Sequence, residues 1–192
     1  MKQRAFMLAL LGLVCCAIGT QTGRWGWLLI WFGADLLILA FAYLSRSHRV
    51  FGKRPNGTLP FWSWGLFFPF LVYTSIVWNS VRLLIREPAC NQVSDKLAVG
   101  RRLLDAELPV DFANYVDLTA EFQETRRARQ SPAYLSFPVL DAGAPDPETL
   151  RKMIVLLKPG KTLVHCAQGH GRTGLFALAF LLATQRVASI DE

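Results

Sequence analysis

Only one of the fourteen Asp and Glu residues, Asp35, lies within residues 1–86, which also carry nine Lys and Arg. A chain divided in this way cannot fold as one evenly charged globule, so its two parts must find different surroundings. All six Trp (Trp25, Trp27, Trp31, Trp62, Trp64 and Trp78) also fall in the first part. Its formal charge is +8. The remainder sets twelve Lys and Arg against thirteen acids, for −1, and the two parts sum to +7. The basic excess therefore belongs to an apolar, Trp-rich segment. Positive residues beside apolar runs, with Trp at their edges, are the pattern of membrane spans. This distribution argues against a nucleic-acid partner.

Residues 5–19, AFMLALLGLVCCAIG, follow a basic MKQR and predict a first apolar helix. Ala17-x-Gly19 resembles a signal-peptidase site, but too few residues precede the next run for cleavage to be favoured. Residues 26–44 form a nineteen-residue run that reaches about 28 Å as a helix, enough to cross a bilayer core. The link TQTGR has one charge, whereas the next loop holds Arg46, Arg49, Lys53 and Arg54. The positive-inside rule then puts the N-terminus and the basic loop inside. Asp35 lies mid-span, where a charge costs roughly 2.5–3.5 kcal/mol. With no second intramembrane charge to pair with, it is expected to be neutral or partnered against a neighbouring helix rather than a proton or lipid site.

The third apolar run, residues 61–86, has two readings. As a full span it would carry the rest of the chain outside. As a helix after Pro69 it places Ser75, Asn79, Arg82 and Arg86 on one face. That stripe suits a helix lying in the interface, which is the favoured reading. It predicts a multi-pass protein of the cell (inner) membrane with residues 87–192 in the cytoplasm.

The second part has the pattern of an α/β domain. Residues 96–100, 112–118, 133–140 and 161–166 read as strands. Residues 146–158 and 171–186 read as helices, the first opening at Asp146-Pro147 and the second strongly apolar. Strands alternating with helices imply a layered α/β sheet. Cys15 and Cys16 sit in an apolar run as small hydrophobes, and Cys90 and Cys166 are isolated. No disulfide framework or zinc site is expected.

HCAQGHGRTG, residues 165–174, concentrates the chemistry. Its GHGRTG is literally G-x-G-x-x-G, the dinucleotide fingerprint. A Rossmann unit would need a second strand and an acid about twenty residues further on, and it opens its domain rather than ending it. The alternative takes Cys166 and Arg172 together as C-x5-R: a strand, then His-Cys, a loop with two glycines, and Arg-Thr-Gly opening an apolar helix. Here the chain resembles the cysteine-dependent dual-specificity and tyrosine phosphatase superfamily, in a bacterial, membrane-anchored form. Its signature H-C-x-x-G-x-G-R-[ST] matches residues 165–173 at every fixed position. The resemblance covers roughly 90–192, including YVDLTAEF and YLSFPVLD, and implies a cysteine-phosphatase-like sheet with flanking helices.

The physics of such a loop is independent of the resemblance. Inward-facing amides of Ala167, Gln168, Gly169, His170, Gly171 and Arg172 would form an anion nest at a helix N-terminus. Gly169 and Gly171 are expected to supply backbone geometry that side chains would block. Thiols in such positions ionise at roughly 3.5–7.5. Arg172 can fork onto two phosphate oxygens, and Cys166 would attack phosphorus to form a phosphocysteine. The resemblance implies that Thr173 steadies the departing thiolate, that His165 holds the loop, and that an Asp on a movable loop is the general acid. Asp141 is favoured for that role. Asp146 reads as a helix N-cap.

The resemblance thus implies an enzyme without cofactor or metal, acting on phosphotyrosine, phosphoserine or phosphothreonine. The missing Lys at positions 167, 168 and 170 counts against a polyphosphorylated headgroup. The alternatives are a lipid-headgroup phosphatase, for example on phosphatidylglycerophosphate, and a pseudophosphatase that binds phosphate at the membrane without turnover. Arg101-Arg102 read as a solvated turn, with the gathering of an anionic substrate as the alternative; Arg126-Arg127-Ala128-Arg129 read as a solvated helix end, with contact to anionic lipid as the alternative; Asp117 and Glu121 are given no chemistry. The closing VASIDE places an N-cap at Ser189. Because the superfamily continues with further helices, truncation or a different closure is expected.

Overall fold

The computed structural model describes residues 2–85 and 87–184. Arg86 of the polar stripe and the Ser189 cap lie outside them. The chain forms two compact units, Met1–Lys53 with Leu59–Ile85, and Arg54–Thr58 with Arg86–Glu192.

The first unit is helical: α1 (Lys2–Gln21), α2 (Gly26–Leu44), α3 (Phe61–Leu66) and α4 (Phe68–Leu84). α1 and α2 are long and apolar enough to cross a bilayer. α2 spans the same nineteen residues as the apolar run. Phe6, Met7, Leu10, Leu13 and Ile18 of α1 are exposed, an apolar surface that suits lipid better than water. The two helices form a hairpin that closes on glycines spaced seven apart. A Cβ built on Gly12 would stand 2.8 Å from the Gly33 carbonyl, and one on Gly33 would stand 2.7 Å from the Gly12 carbonyl. Gly19 and Gly26 make the same close approach one turn pair further along. Small residues let two backbones come this near, and they are enriched where helices pack in lipid. Cys16 packs against Gly33, as its reading as a small hydrophobe expects.

The third apolar run is broken at Phe67 into α3 and α4. Asp35 explains where α4 begins. It is buried, and its Oδ2 accepts the Phe70 N–H at 3.2 Å, satisfying a first-turn donor that the helix itself leaves open. The mid-span acid is therefore partnered by a neighbouring helix. In the polar stripe, Ser75 and Arg82 are half-buried, and the Arg82 guanidinium lies 5.4 Å from the Trp78 ring centre. Asn79 of the stripe is exposed, and so are Val72, Tyr73, Ile76 and Leu83.

The second unit is a five-stranded sheet of β1 (Cys90–Ser94), β2 (Leu97–Arg101), β3 (Asn114–Thr119), β4 (Tyr134–Val139) and β5 (Thr162–Cys166), in the order β1-β2-β5-β3-β4. β1 runs antiparallel to β2, and the other pairings are parallel. β5 is central, and all five of its residues are buried. One face carries α6 (Pro147–Val155) and α7 (Gly171–Ala183), with Leu97, Val116, Leu118, Val164 and Phe176 in its core. The other face holds Ala98, Leu103, Tyr115, Leu163 and Ala128 of α5 (Arg126–Gln130). Alternation along β5 therefore sends Cys166 toward α7 and His165 to the opposite side.

Two readings of the Arg clusters are corrected. Arg101 is the last residue of β2, and Arg102 donates to the Gln123 carbonyl at 2.9 Å, so neither occupies a solvated turn. Arg127 and Arg129 donate to the carbonyls of Asp105 (3.1 Å) and Glu124 (2.9 Å), tying α5 down rather than only solvating it. Arg54–Thr58, read as part of a basic loop, joins the second unit, where the Gly57 carbonyl accepts the Glu124 N–H at 3.0 Å.

Candidate functional site

β5 ends on Cys166, residues 167–170 bend away from it, and α7 opens at Gly171. The nucleophile candidate and the helix N-terminus are thereby joined by a four-residue loop at the edge of the sheet where the parallel strands end. Cys166 is buried. Among the described residues, the main-chain N–H groups of Gln168, Gly169 and His170 donate to no backbone acceptor. The Gly174 N–H closes the first helical turn onto the His170 carbonyl at 2.7 Å.

Gly169 adopts φ +83°, and a Cβ there would lie 2.8 Å from both the Arg101 nitrogen and the Gly100 carbonyl carbon. The loop thus rests on the end of β2 and only glycine fits. Gly171 differs from the expectation. Its φ is not left-handed, and a Cβ would meet nothing within 4 Å, because helical geometry has already begun there. Ala167 anchors the loop through its carbonyl, which accepts the Arg102 N–H at 3.3 Å. His170 is exposed on the outer rim, with Nε2 3.4 Å from Glu87 Oε2.

Arg172 is held by a residue given no role in the sequence reading. Its Nη1 and Nη2 donate to Glu121 Oε2 and Oε1 at 2.9 and 2.8 Å, and Nη1 also donates to the Val139 carbonyl at 2.9 Å. Both side chains are buried. Burial pulls the guanidinium toward a lower pKa. Glu121 outweighs it, with Asp141 and Cys166 adding to the effect, so the net shift is upward and the group stays charged. With Nη1 and Nη2 committed to Glu121, the free donor is Nε, fully covered and without a hydrogen-bond partner. A phosphate would be gripped by the Nε and Nη2 edge, while Glu121 locks the other edge in place. The signal available in the sequence was an acid two residues past β3, the strand beside β5, where a buried Arg needs a counter-charge.

Asp141 and Thr173 reach the same place. Asp141 is exposed, with Oδ1 3.3 Å from Arg172 Nη2. It sits in a tight turn closed by the Gly143 N–H on the Leu140 carbonyl at 2.7 Å, in which Ala142 takes φ 47°. Thr173 is buried, and its Oγ1 has no hydrogen-bond partner. Asp146 is the N-cap it was expected to be: its carboxylate accepts the Thr149 N–H at 2.9 Å and the Thr149 hydroxyl at 2.7 Å.

Behind β5 lies a buried polar cluster. His165 Nε2 faces Glu124 Oε2 at 3.3 Å and Asp117 Oδ1 at 3.8 Å, and its ring centre stands 4.9 Å from that of Tyr115. Asp117 accepts from the Tyr134 hydroxyl at 2.7 Å and from the Thr119 N–H and hydroxyl at 2.8 and 2.7 Å. Asp117, Glu124 and His165 could in principle ligate a cation, since their donor atoms lie within 4.8 Å of one another. The donor set fits one poorly. Asp117 already accepts three hydrogen bonds, and the Arg102 guanidinium stands 3.7 Å from Glu124 Oε1 as the resident cation. Cys90, on the edge strand β1, takes no part in the site, and burial pushes its thiol pKa up. The chain has no match among the family models, the curated proteins or the solved structures it was compared with.

Proposed function

We propose that this chain is a membrane-anchored, cysteine-dependent phosphomonoester hydrolase, with α1 and α2 spanning the bilayer and the sheet unit in the cytoplasm. The observation that carries this reading is the pairing of a strand-end Cys166 with Arg172 at the opening of α7, its Nε buried and unpartnered while Glu121 holds the opposite edge. A buried, oriented guanidinium with its Nε still unpartnered is organised for an oxyanion before any arrives.

In the proposed reaction Cys166 Sγ attacks phosphorus, forming the S–P bond as the bond to the alcohol oxygen breaks. Asp141 delivers the proton to that oxygen. Water then attacks the phosphocysteine, Asp141 takes its proton, and inorganic phosphate leaves as the S–P bond breaks. Thr173 Oγ1 donates to the departing thiolate. The loop amides and the Nε–Nη2 edge of Arg172 hold the equatorial oxygens throughout, and His165 and Glu121 act as positioning residues.

Hydrolysis of para-nitrophenyl phosphate by the full chain in detergent tests the proposal. Turnover that disappears in Cys166→Ser and Arg172→Lys supports it. Full activity in Cys166→Ser refutes the mechanism, and phosphate binding without turnover in the native chain makes the protein a binding module instead.

A further inference from the structure

Arg172 is committed to Glu121, but among the described residues a second arginine beside the loop has no such partner. Arg101 ends β2, and its Cα is the register partner of Cys166. Adjacent strands lie about 4.8 Å apart. Alternation along β2 fixes its direction. Leu97 and Val99 join the core under α6 and α7 together with Cys166, whereas Ala98 joins the opposite core. Arg101 therefore leaves the sheet on the same side as the Cys166 thiol. Its backbone carries the loop, since Gly169 rests against the Arg101 nitrogen. The residue is half-buried and its Nε is fully covered. Among the described residues its side chain makes no hydrogen bond and no ion pair. By contrast, Arg102, Arg127, Arg129 and Arg172 all donate to carbonyls or carboxylates. A half-buried guanidinium without a counter-ion is poorly placed for stability, and it costs desolvation that an anionic ligand would recover.

We propose that Arg101 is a specificity-determining residue that binds a second anionic group on the substrate, a short spacer away from the phosphomonoester held over Cys166. This rests on the phosphatase reading above and names its substrate class: a small polyol headgroup of an anionic lipid, carrying a phosphomonoester and a phosphodiester. The pairing of Arg101 with Cys166 on adjacent strands favours it. A three-carbon polyol brings two phosphates side by side, whereas an aryl ring holds the acids of a phosphotyrosyl peptide a ring length from phosphorus. The apolar helices α1 and α2 would keep the enzyme with such a substrate. The loop itself lacks Lys at 167, 168 and 170, so the second cation comes from the neighbouring strand.

The test measures binding of glycerol bisphosphate and glycerol 3-phosphate to full-length Cys166→Ser protein by calorimetry. The bisphosphate should bind at least about tenfold tighter, or 1.4 kcal/mol. Adding Arg101→Gln should abolish the preference, and Arg101→Lys should restore part of it if charge is what matters. Equal weakening of both ligands, or no preference at the outset, overturns the proposal. Failure of either ligand to bind either protein overturns the phosphatase reading itself, and this one with it. Turnover then separates the sources. Relative to para-nitrophenyl phosphate, kcat/KM on phosphatidylcholine vesicles doped with a phosphatidylglycerol phosphate should fall at least about tenfold in Arg101→Gln. If that fall is seen only on a phosphotyrosyl peptide flanked by aspartates, the lipid assignment is wrong.

Discussion

The Arg172–Glu121 fork is the contact whose removal should be felt most. Its side chains are 2% and 7% exposed, so removing Glu121 leaves a charged guanidinium sealed inside the domain. Breaking one partner of a buried pair costs about 3–5 kcal/mol. The Val139 carbonyl and Asp141 would still face the guanidinium, which places Glu121→Leu near the lower end, about 3 kcal/mol. For a unit of roughly a hundred residues each kcal/mol moves Tm by about 4–8 °C, so the fall should be roughly 12–24 °C. Scanning calorimetry of the full chain in detergent is the suitable assay. Trp emission is not, because all six Trp lie in residues 1–86. Pairing the change with Arg172→Met removes the stranded charge, and the double variant should be more stable than Glu121→Leu alone. A single-variant loss below about 1 kcal/mol, or a double variant that suffers the sum of both losses, would refute the reasoning.

Three further outcomes follow from the geometry. Gly169→Ala should lose most para-nitrophenyl phosphate hydrolysis, because φ +83° and the Arg101 backbone both exclude a methyl group; Gly171→Ala, which meets nothing within 4 Å, should be far milder. Gly26→Leu should split the α1–α2 hairpin, since even a Cβ there would overlap the Gly19 carbonyl, and protease protection of α1 in detergent would report it. Asp146 is held below the ordinary carboxylate value by the Thr149 hydroxyl and then the Thr149 N–H. Its contribution is present above the unfolded value of about 3.9 and lost as pH falls through the lower folded value. Asp146→Asn should therefore flatten the acid side of a Tm-against-pH curve, and an unchanged curve would contradict the assignment.

How much of this was legible depended on how local each signal is. The bounds of α2 are those of its apolar run, because hydrophobic length is written residue by residue. β5 and α7 were legible for the same reason, and with them the loop between Cys166 and Arg172. β1 was not. CNQVS is an edge strand with exposed polar residues, and only its ladder to β2 makes it one. The break at Phe67 was hidden because the residue that starts α4, Asp35, lies thirty-five positions away from Phe70. Glu121 was visible as a residue but not as a member of the site, and Arg101 only as the less favoured reading of a basic pair. Their roles depend on strand order, which brings β3 and β2 to either side of β5.

The short passage Arg54–Thr58 has a practical consequence. A fragment trimmed to begin at residue 87, the natural place to separate the sheet unit from the apolar helices, would discard the Gly57 carbonyl that receives the Glu124 amide. It would also uncover the Tyr134 hydroxyl, against which Gly57 fits so closely that no larger residue could replace it. Glu124 and Tyr134 both belong to the polar cluster that backs the strand bearing the thiol. Cutting the protein in two by its hydropathy alone would therefore leave the excised half missing a piece of its own wall.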